Sequence, residues 1–189
     1  MHTLVIFTHP RPTSLNASIR SVVLKELAAQ GETVSAIDLY ADSFDPPLRP
    51  QGDASLSRTP PSALVSGYRA LIEKADRLVF IHPTWWGRPP AMLQGFAEQV
   101  FGAGWAYSYK KGRAVPALKG KRALVITTLG SPSALVRLYT GDVHRIMLRR
   151  LLFAFCGIRP TRFLEIYNAH GMTAERFAKT KAKIGKLLR

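Results

Sequence analysis

Hydroxyl and amide side chains cluster directly after the first apolar run of the sequence. The stretch THPRPTSLNAS places Thr13, Ser14 and Asn16 where the first predicted helix begins. Hydroxyls, an amide and the free backbone N–H groups of a helix N-terminus suit a phosphate without a lysine. For this loop alone, N-capping by Thr13 or Ser14 is the simpler explanation. The sequence has no G-x-G-x-x-G or Walker lysine motif, which disfavours Rossmann-type and P-loop enzymes.

Two adjacent tryptophans mark the loop after the third predicted strand. In HPTWWGRPPAMLQGFAEQVF, Trp85 and Trp86 stand beside Gly87 and a double proline. Such a rigid, aromatic loop can stack on a flat ring, although we expect one tryptophan to pack inward. The loop after the fourth strand, TTLGSPS, is small and polar and can border the same ring. The three loops together describe a flavin site.

Other chemistries have less support in the sequence. His2, His82 and His144 show no metal-ligand spacing, so we expect no metal site. No G-x-S-x-G elbow indicates a serine hydrolase. Cys156 lies in an apolar helical stretch, where a buried and inert thiol is expected.

The elements that must position these loops alternate between strand and helix. Apolar runs predict strands at 2–8, 33–39, 77–82, 122–128 and 162–167. Helices are predicted at 14–30, 62–74, 89–101, 142–155 and 173–188. Near-continuous apolar strands separated by helices predict a parallel sheet covered on both faces, in a single domain over residues 1–189. Ligands bind such sheets at the carboxyl ends of the strands. The long connections 41–61 and 102–120 are therefore of interest.

Composition limits the cellular setting. The 189 residues include one cysteine and no apolar stretch near the ~20 residues that a transmembrane helix needs. The opening MHTLVIF does not resemble a signal peptide, so a cytoplasmic location is the default expectation.

The net charge of +15 is concentrated in one half of the chain. Residues 1–109 hold 9 basic and 9 acidic residues, whereas residues 110–189 hold 18 basic and 3 acidic ones. A field of this sign favours nucleotide cofactors, nucleic acid or an anionic membrane surface. A solvated basic face that only aids solubility is an equally good interpretation. No nucleic-acid motif is present, so that partner is not expected.

Five segments in order resemble one known family. They are THPRPTSLNASI, DLYADSFDPPL, HPTWWGRPPAMLQGFAEQVF, GWAYSYKKG and GKRALVITTLG. The chain resembles the flavodoxin-like NAD(P)H:quinone oxidoreductase family of the DT-diaphorase type. The resemblance implies a three-layer α/β sandwich with a five-stranded parallel sheet in the order 2-1-3-4-5. It also implies tightly bound FMN or FAD, NADPH or NADH as donor, and a homodimer with flavin sites at the subunit interface.

The resemblance assigns roles to the residues that match the family's motifs. The flavin's diphosphate and ribityl chain would contact His9, Thr13, Ser14, Leu15 and Asn16. The isoalloxazine would contact Pro83, Thr84, Trp85, Trp86 and Gly87 on one edge, and Thr127, Thr128, Leu129 and Gly130 on the other. Arg176 resembles the arginine on the adenosine side of FAD. Tyr107 and Tyr109 resemble the pair that lines the partner subunit's substrate pocket, and with Gly130 they are the catalytic candidates.

The chain departs from the family in the segment SPSALVRLYTGD. Leu129 replaces the first glycine of the T-T-G-G motif, and Thr140 occupies the position of the family's histidine. That histidine and a nearby tyrosine are proposed to stabilise charge on the reduced flavin. The groups that handle protons here, and the preferred acceptor, stay open.

Two functions of different classes follow. The first is a flavin-dependent NAD(P)H oxidoreductase. It would transfer two electrons to quinones or similar flat electrophiles by a ping-pong mechanism. The second is a flavin-binding ancillary subunit that docks on a membrane or transport partner through its basic C-terminal half. For the enzyme we expect NADPH to be preferred over NADH, with Lys110, Lys111, Arg113 and Arg137 as candidate contacts of the 2′-phosphate.

Overall fold

A five-stranded parallel sheet forms the centre of the protein in this computed structural model, which describes residues 1–49 and 60–189. Its strands are β1 (His2–Phe7), β2 (Thr33–Asp38), β3 (Arg77–Pro83), β6 (Arg122–Thr128) and β7 (Thr161–Ile166), and a separate hairpin contains β4 (Tyr107–Lys110) and β5 (Arg113–Pro116). The sheet order is β2-β1-β3-β6-β7. Counting sheet strands alone, this is the predicted order 2-1-3-4-5, and the flavodoxin-like architecture is confirmed.

Helices cover both faces of the sheet. They are α1 (Leu15–Ala29), α2 (Ala63–Lys74), α3 (Ala91–Val100), α4 (Ser133–Leu138), α5 (Val143–Ile146), α6 (Ala154–Cys156) and α7 (Ala174–Leu188). Side chains of Ser14, Ser62 and Thr173 accept hydrogen bonds from first-turn N–H groups and fix three of the starts. For α1, α2, α3 and α7, the predicted bounds lie within two residues of the observed ones.

An apolar core lies on each face of the sheet, between the sheet and the helices that cover it. On one face, Val79 and Leu124 pack with Ile19 of α1 and Ile184 of α7. On the other face, Phe80 and Val125 pack with residues of α2, α3 and the helical segment 143–156. Alternate residues of β3 and β6 therefore face opposite cores, and both faces are buried, as the continuous apolar runs predicted.

Two predicted segments differ from the structure. The connection 102–120 contains the hairpin β4–β5, which turns at Lys111 and Gly112, both with positive φ. Its four-residue strands are too short for an apolar run to reveal them. The helix predicted at 142–155 starts at Val143 and contains π-helical turns at Met147–Phe153, and α4 was not predicted. Of the predicted loop 41–61, residues 50–59 lie outside the described part.

One close approach fixes the packing of α3. A Cβ atom on Gly95 would lie 2.2 Å from the backbone oxygen of Pro46. The loop after β2 therefore rests directly on the helix backbone, which only glycine permits. In the described ranges, no helix combines the length and the apolar character needed to cross a membrane.

Candidate active site

The loops after β1, β3, β6 and β7 meet in one cleft of about 460 Å³ at the carboxyl ends of the strands. Its lining consists of His9, Leu15, Asn16, Pro83, Thr84, Trp85, Trp86, Thr128, Gly130, Ser131, Ala169 and His170. The first nine of these residues are among the sequence-predicted flavin contacts. Ser131, Ala169 and His170 were not, although each follows a sheet strand that the sequence had indicated.

Asn16 joins two of the loops at the floor of the cleft. Its side-chain amide donates a 2.9 Å hydrogen bond to Thr128 Oγ1, and the residue is only 3% exposed. Its Oδ1 is buried and has no hydrogen-bond partner among residues 1–49 and 60–189. An unsatisfied buried acceptor costs about 1–3 kcal/mol. A ligand that donates a hydrogen bond to this oxygen would remove that cost.

The start of α1 presents backbone donors at the cleft. Leu15 and Asn16 are the first two helical residues, and their N–H groups have no partner within the helix. Ser14 acts as the N-cap, since its hydroxyl accepts a 3.1 Å hydrogen bond from Ala17 N. Ser14 and the exposed Thr13 do not line the cleft. Their predicted contact with a cofactor phosphate stays a prediction.

Both tryptophans of the third loop are exposed. Trp86 and Gly87 have positive φ, as in a type I′ turn, and Trp85 and Arg88 exchange backbone hydrogen bonds of 2.9 and 3.0 Å across it. Trp85 is 43% exposed and Trp86 is 101% exposed, so the expectation that one packs inward is wrong. The reason is local, because this tight turn holds both indoles outside the core.

The fourth loop is anchored by threonines and continues into the core. Thr84 Oγ1 and Thr127 Oγ1 lie 2.7 Å apart, and Thr84 N donates to Thr128 O at 2.8 Å. Thr127 and Leu129 are buried and do not line the cleft, so they support the fourth loop from the side of the core. Gly130 lines it, and its backbone N–H donates no hydrogen bond to a described residue.

Arg176 shapes the last loop. Its guanidinium donates to the backbone oxygens of Tyr167, Asn168 and Gly171 and holds the turn that carries His170. A Cβ atom on Gly130 would lie 3.0 Å from His170 Nε2, so these two loops touch. Arg176 does not line the cleft. Its role toward an adenosine stays a prediction.

Tyr107 and Tyr109 form an aromatic cluster away from the cleft of the same chain. Their ring centroids are 5.7 Å apart, and the Phe155 ring lies 4.8 Å from that of Tyr107. Tyr109 is 63% exposed and Phe155 is 38% exposed. The sequence analysis did not group Phe155 with the two tyrosines, because these residues are far apart in the sequence.

A buried polar row crosses the sheet beside the cleft. His82, Thr127 and Glu165 are register neighbours on β3, β6 and β7 and therefore lie on one face. Glu165 accepts a 3.0 Å hydrogen bond from the Tyr167 hydroxyl and lies 2.8 Å from His144 Nε2. Burial opposes ionisation of Glu165. Its hydrogen bonds with His144 and Tyr167 and nearby positive charge outweigh this and lower its pKa.

The partners of His144 could not be found from spacing along the chain. Possible ligand atoms of Asp142, His144 and Glu165 lie within 4.8 Å of one another, although the sequence indicated no metal cluster. Arg145 stands 3.5 Å from Glu165 and already supplies a positive charge.

Thr140, at the position of the family's histidine, donates its hydroxyl hydrogen to Val136 O at 2.7 Å. The structure therefore gives Thr140 a helix-capping bond.

Comparison with known proteins places this arrangement in context. The profile of the flavodoxin-like fold family matches residues 1–188. Ribosyldihydronicotinamide dehydrogenase-like protein traD of Penicillium crustosum is 34% identical over 158 residues, and mouse (Mus musculus) ribosyldihydronicotinamide dehydrogenase (quinone) is 30% identical over 156 residues. These matches cover 69% and 74% of this chain but only 58% and 66% of the relatives' lengths. The crystal structure of Smu.1420 from Streptococcus mutans UA159 superimposes with a TM-score of 0.88 at 36% identity, covering 99% of this chain and 98% of that one.

Proposed function

The chain belongs to the flavodoxin-like fold family, and from this we propose that it is a flavin-dependent NAD(P)H:quinone oxidoreductase. The names of its dehydrogenase relatives support a nicotinamide-type donor and a quinone-type acceptor. One observation carries the proposal. Exposed indoles, a buried amide oxygen without a partner in the described part of the chain, and the open first turn of a helix line a single cleft at the carboxyl ends of the strands.

The residues of the cleft fit a flavin. A planar heteroaromatic ring needs flat apolar surfaces and polar groups at its edge, and Trp85 and Trp86 provide the first. Asn16 Oδ1 and the N–H of Gly130 provide an acceptor and a donor. The N–H groups of the first turn of α1 suit the phosphate that FMN and FAD share. A bound flavin supplies the capacity to accept a hydride from a nicotinamide and to pass two electrons to a quinone.

The chain's own contribution is orientation. The turn at Trp86 and Gly87 holds the two indoles at the mouth of the cleft. The Thr84–Thr127 hydroxyl pair and the Asn16–Thr128 hydrogen bond tie three loops together. Fixed donors and acceptors need little reorganisation during charge transfer, which is how such sites stabilise developing charge.

We propose that the aromatic cluster completes the cleft of a second subunit. Tyr107, Tyr109 and Phe155 lie away from the cleft of their own chain. Leu138, Tyr139 and Leu151, in the segment that precedes Phe155, are also exposed and apolar in character. A homodimer would bury that surface and carry the cluster to the partner's site. Tyr109→Ala should raise the KM for quinone severalfold and leave flavin content unchanged. A fully active monomer in solution would contradict the shared site.

The charge of the hairpin supports NADPH as the preferred donor. Lys110, Lys111 and Arg113 lie around the exposed turn of the hairpin. Arg137, the fourth candidate, lies outside the hairpin, with its guanidinium 5.9 Å from the Tyr167 ring centroid. In the proposed dimer the hairpin reaches the partner's cleft together with Tyr109. The alternative function, an ancillary flavin-binding subunit that docks through the basic half, stays a prediction. Release from a membrane fraction by high salt is the observation that would favour it.

The decisive experiment is spectroscopic. We expect the purified protein, or the protein after incubation with FMN or FAD, to show flavin absorbance that remains with it through gel filtration. Mass analysis of the released cofactor then distinguishes FMN from FAD. Oxidation of NADPH or NADH should depend on added quinone. A protein that stays colourless after incubation with both flavins would overturn the proposal.

A further inference from the structure

Four arginines converge at the end of the sheet opposite the cleft. Arg77 and Arg122 are direct register partners at the starts of β3 and β6, and Arg162 pairs with Leu124, two residues further along β6. The three side chains therefore lie on the same face of three adjacent strands. Arg189, after α7, joins them around a recess of about 70 Å³ whose other walls are Ala123, Leu124, Pro160 and Leu187. We call these four residues the basal arginine cluster.

Among the described residues, one member of the cluster pairs with an acidic side chain. Arg77 is 3% exposed, forms an ion pair with the buried Glu32, and donates to Thr3 Oγ1 and Leu188 O. In the described ranges, Arg122, Arg162 and Arg189 form no ion pair. Arg122 contacts the sulfur of Met1, a weak acceptor, and Arg189 Nε donates to Gly185 O at 3.4 Å.

The pairing of Arg77 with Arg122 is unfavourable by itself, because like charges directly opposite each other in a sheet are destabilising. Burial lowers the pKa of Arg77, Glu32 opposes this, and the positive charge of Arg122 lowers that pKa further. Three N–H groups of the Arg77 guanidinium donate hydrogen bonds to Thr3, Leu188 and Glu32, and Arg77 also lines the recess. An anion in the recess would relieve the repulsion between the arginines.

We propose that the basal arginine cluster binds a phosphate group. Guanidinium groups match tetrahedral oxyanions through paired, charge-assisted hydrogen bonds, which chloride cannot reproduce. The recess is small, about 70 Å³, so we assign it to a single phosphate group rather than to a bulky ligand. The ligand is thus inorganic phosphate or the terminal phosphomonoester of a larger molecule. The site is independent of the cleft and of the proposed redox function.

Calorimetric titration with inorganic phosphate tests the site, with potassium chloride at equal ionic strength as the reference. The second arm measures sedimentation with vesicles that contain phosphatidic acid, against vesicles of phosphatidylcholine alone. Arg122→Gln/Arg162→Gln should weaken binding at least tenfold in whichever arm responds. Arg149→Gln/Arg150→Gln removes the same charge from two exposed positions elsewhere and should leave binding unchanged. Binding to free phosphate and binding only to the lipid headgroup both support the site and identify its source.

Three results would overturn the proposal. They are no response to phosphate or to phosphatidic acid, an equal response to chloride, and an equal loss in both double variants. Should Arg122→Gln/Arg162→Gln fail to fold, the unmodified protein still decides the matter. Phosphate must then shift the side-chain Nε–H resonances of Arg77 and Arg122 in ¹⁵N-resolved spectra, while the resonance of Arg149 stays fixed.

Discussion

The two ends of the parallel sheet handle charge in opposite ways. At the carboxyl ends of the strands, the cleft is lined by amide, hydroxyl and indole groups, with His9 and His170 as its only titratable side chains in the described residues. At the amino ends, β3, β6 and β7 carry Arg77, Arg122 and Arg162. An anion at the first end must rely on backbone dipoles, whereas an anion at the second meets full charges. Binding at the two ends should therefore respond differently to salt and pH.

The largest expected effect lies at the amino end. Glu32→Gln leaves the buried Arg77 without its counter-charge, since these side chains are 8% and 4% exposed. We expect a loss of about 3 kcal/mol in the free energy of unfolding, measured by urea denaturation. Asp45→Asn is the matched control, because its ion pair with Arg49 is exposed and should contribute less than about 1 kcal/mol. Equal losses in the two variants would show that burial of the Arg77 pair has no consequence.

The second effect lies at the carboxyl end and depends on pH. Burial lowers the pKa of His82 to about 4 from 6.5, and the hydrogen bond between its Nδ1 and Pro83 O opposes this only in part. The unfolded chain binds a proton at this histidine near pH 6.5, and the folded chain does not. Stability should therefore fall as the pH drops from about 6.5 to about 4, by up to about 3 kcal/mol.

His82→Gln should abolish this part of the acid sensitivity, as seen in urea midpoints at pH 7 and pH 5. His170→Gln, at an exposed histidine, is the control. Glu165 acts in a lower range, because its lowered pKa yields stability that is lost only as the pH falls below the ordinary range of a carboxylate. An unchanged pH profile in His82→Gln would exclude His82 as the cause.

A third effect concerns flavin retention. Trp85→Ala/Trp86→Ala removes the exposed flat surfaces and should weaken flavin binding by about 2 kcal/mol, or roughly 30-fold, on the scale of aromatic stacking on bases. The fold should survive, because neither indole belongs to the core. Trp85→Phe/Trp86→Phe keeps a ring at each position and should retain most of the affinity. Unchanged flavin content in the folded alanine variant would make the loop purely structural.

The smallest effect concerns the choice of donor. Exposed ion pairs contribute about 0.2–1 kcal/mol, so we expect kcat/KM for NADPH to exceed that for NADH by about 1.4-fold to fivefold at low salt. The ratio should approach unity at high salt, because exposed charges are screened. Lys110→Gln/Lys111→Gln should abolish the preference, and Arg149→Gln/Arg150→Gln should not. Equal values for both donors at low salt would refute the assignment.

Periodicity predicted the sheet and most of its helices, because burial on both faces of a parallel sheet leaves a strong apolar signal. It could not predict the hairpin β4–β5, whose short strands depend on a turn at Lys111 and Gly112. We expected one tryptophan in the core because large aromatic residues are often buried. The exposure of Trp86 instead follows from its positive φ, which depends on the turn that it forms with Gly87. The His144–Glu165 pair joins residues 21 positions apart, and only the tertiary packing of α5 beside β7 brings them together.

The turn at Trp86 and Gly87 also gives the protein a built-in optical signal. Trp86 is fully surrounded by water, Trp85 lies beside the His9 ring, and Trp105 is half-buried with its indole N–H on Glu73. The three indoles thus sit in three different environments, and two of them border the cleft. A planar ligand that displaces water from Trp86 should shift that indole's emission to shorter wavelength or quench it, and Trp105 provides an internal reference. Occupancy of the cleft can therefore be followed by intrinsic fluorescence in the unlabelled, unmodified chain.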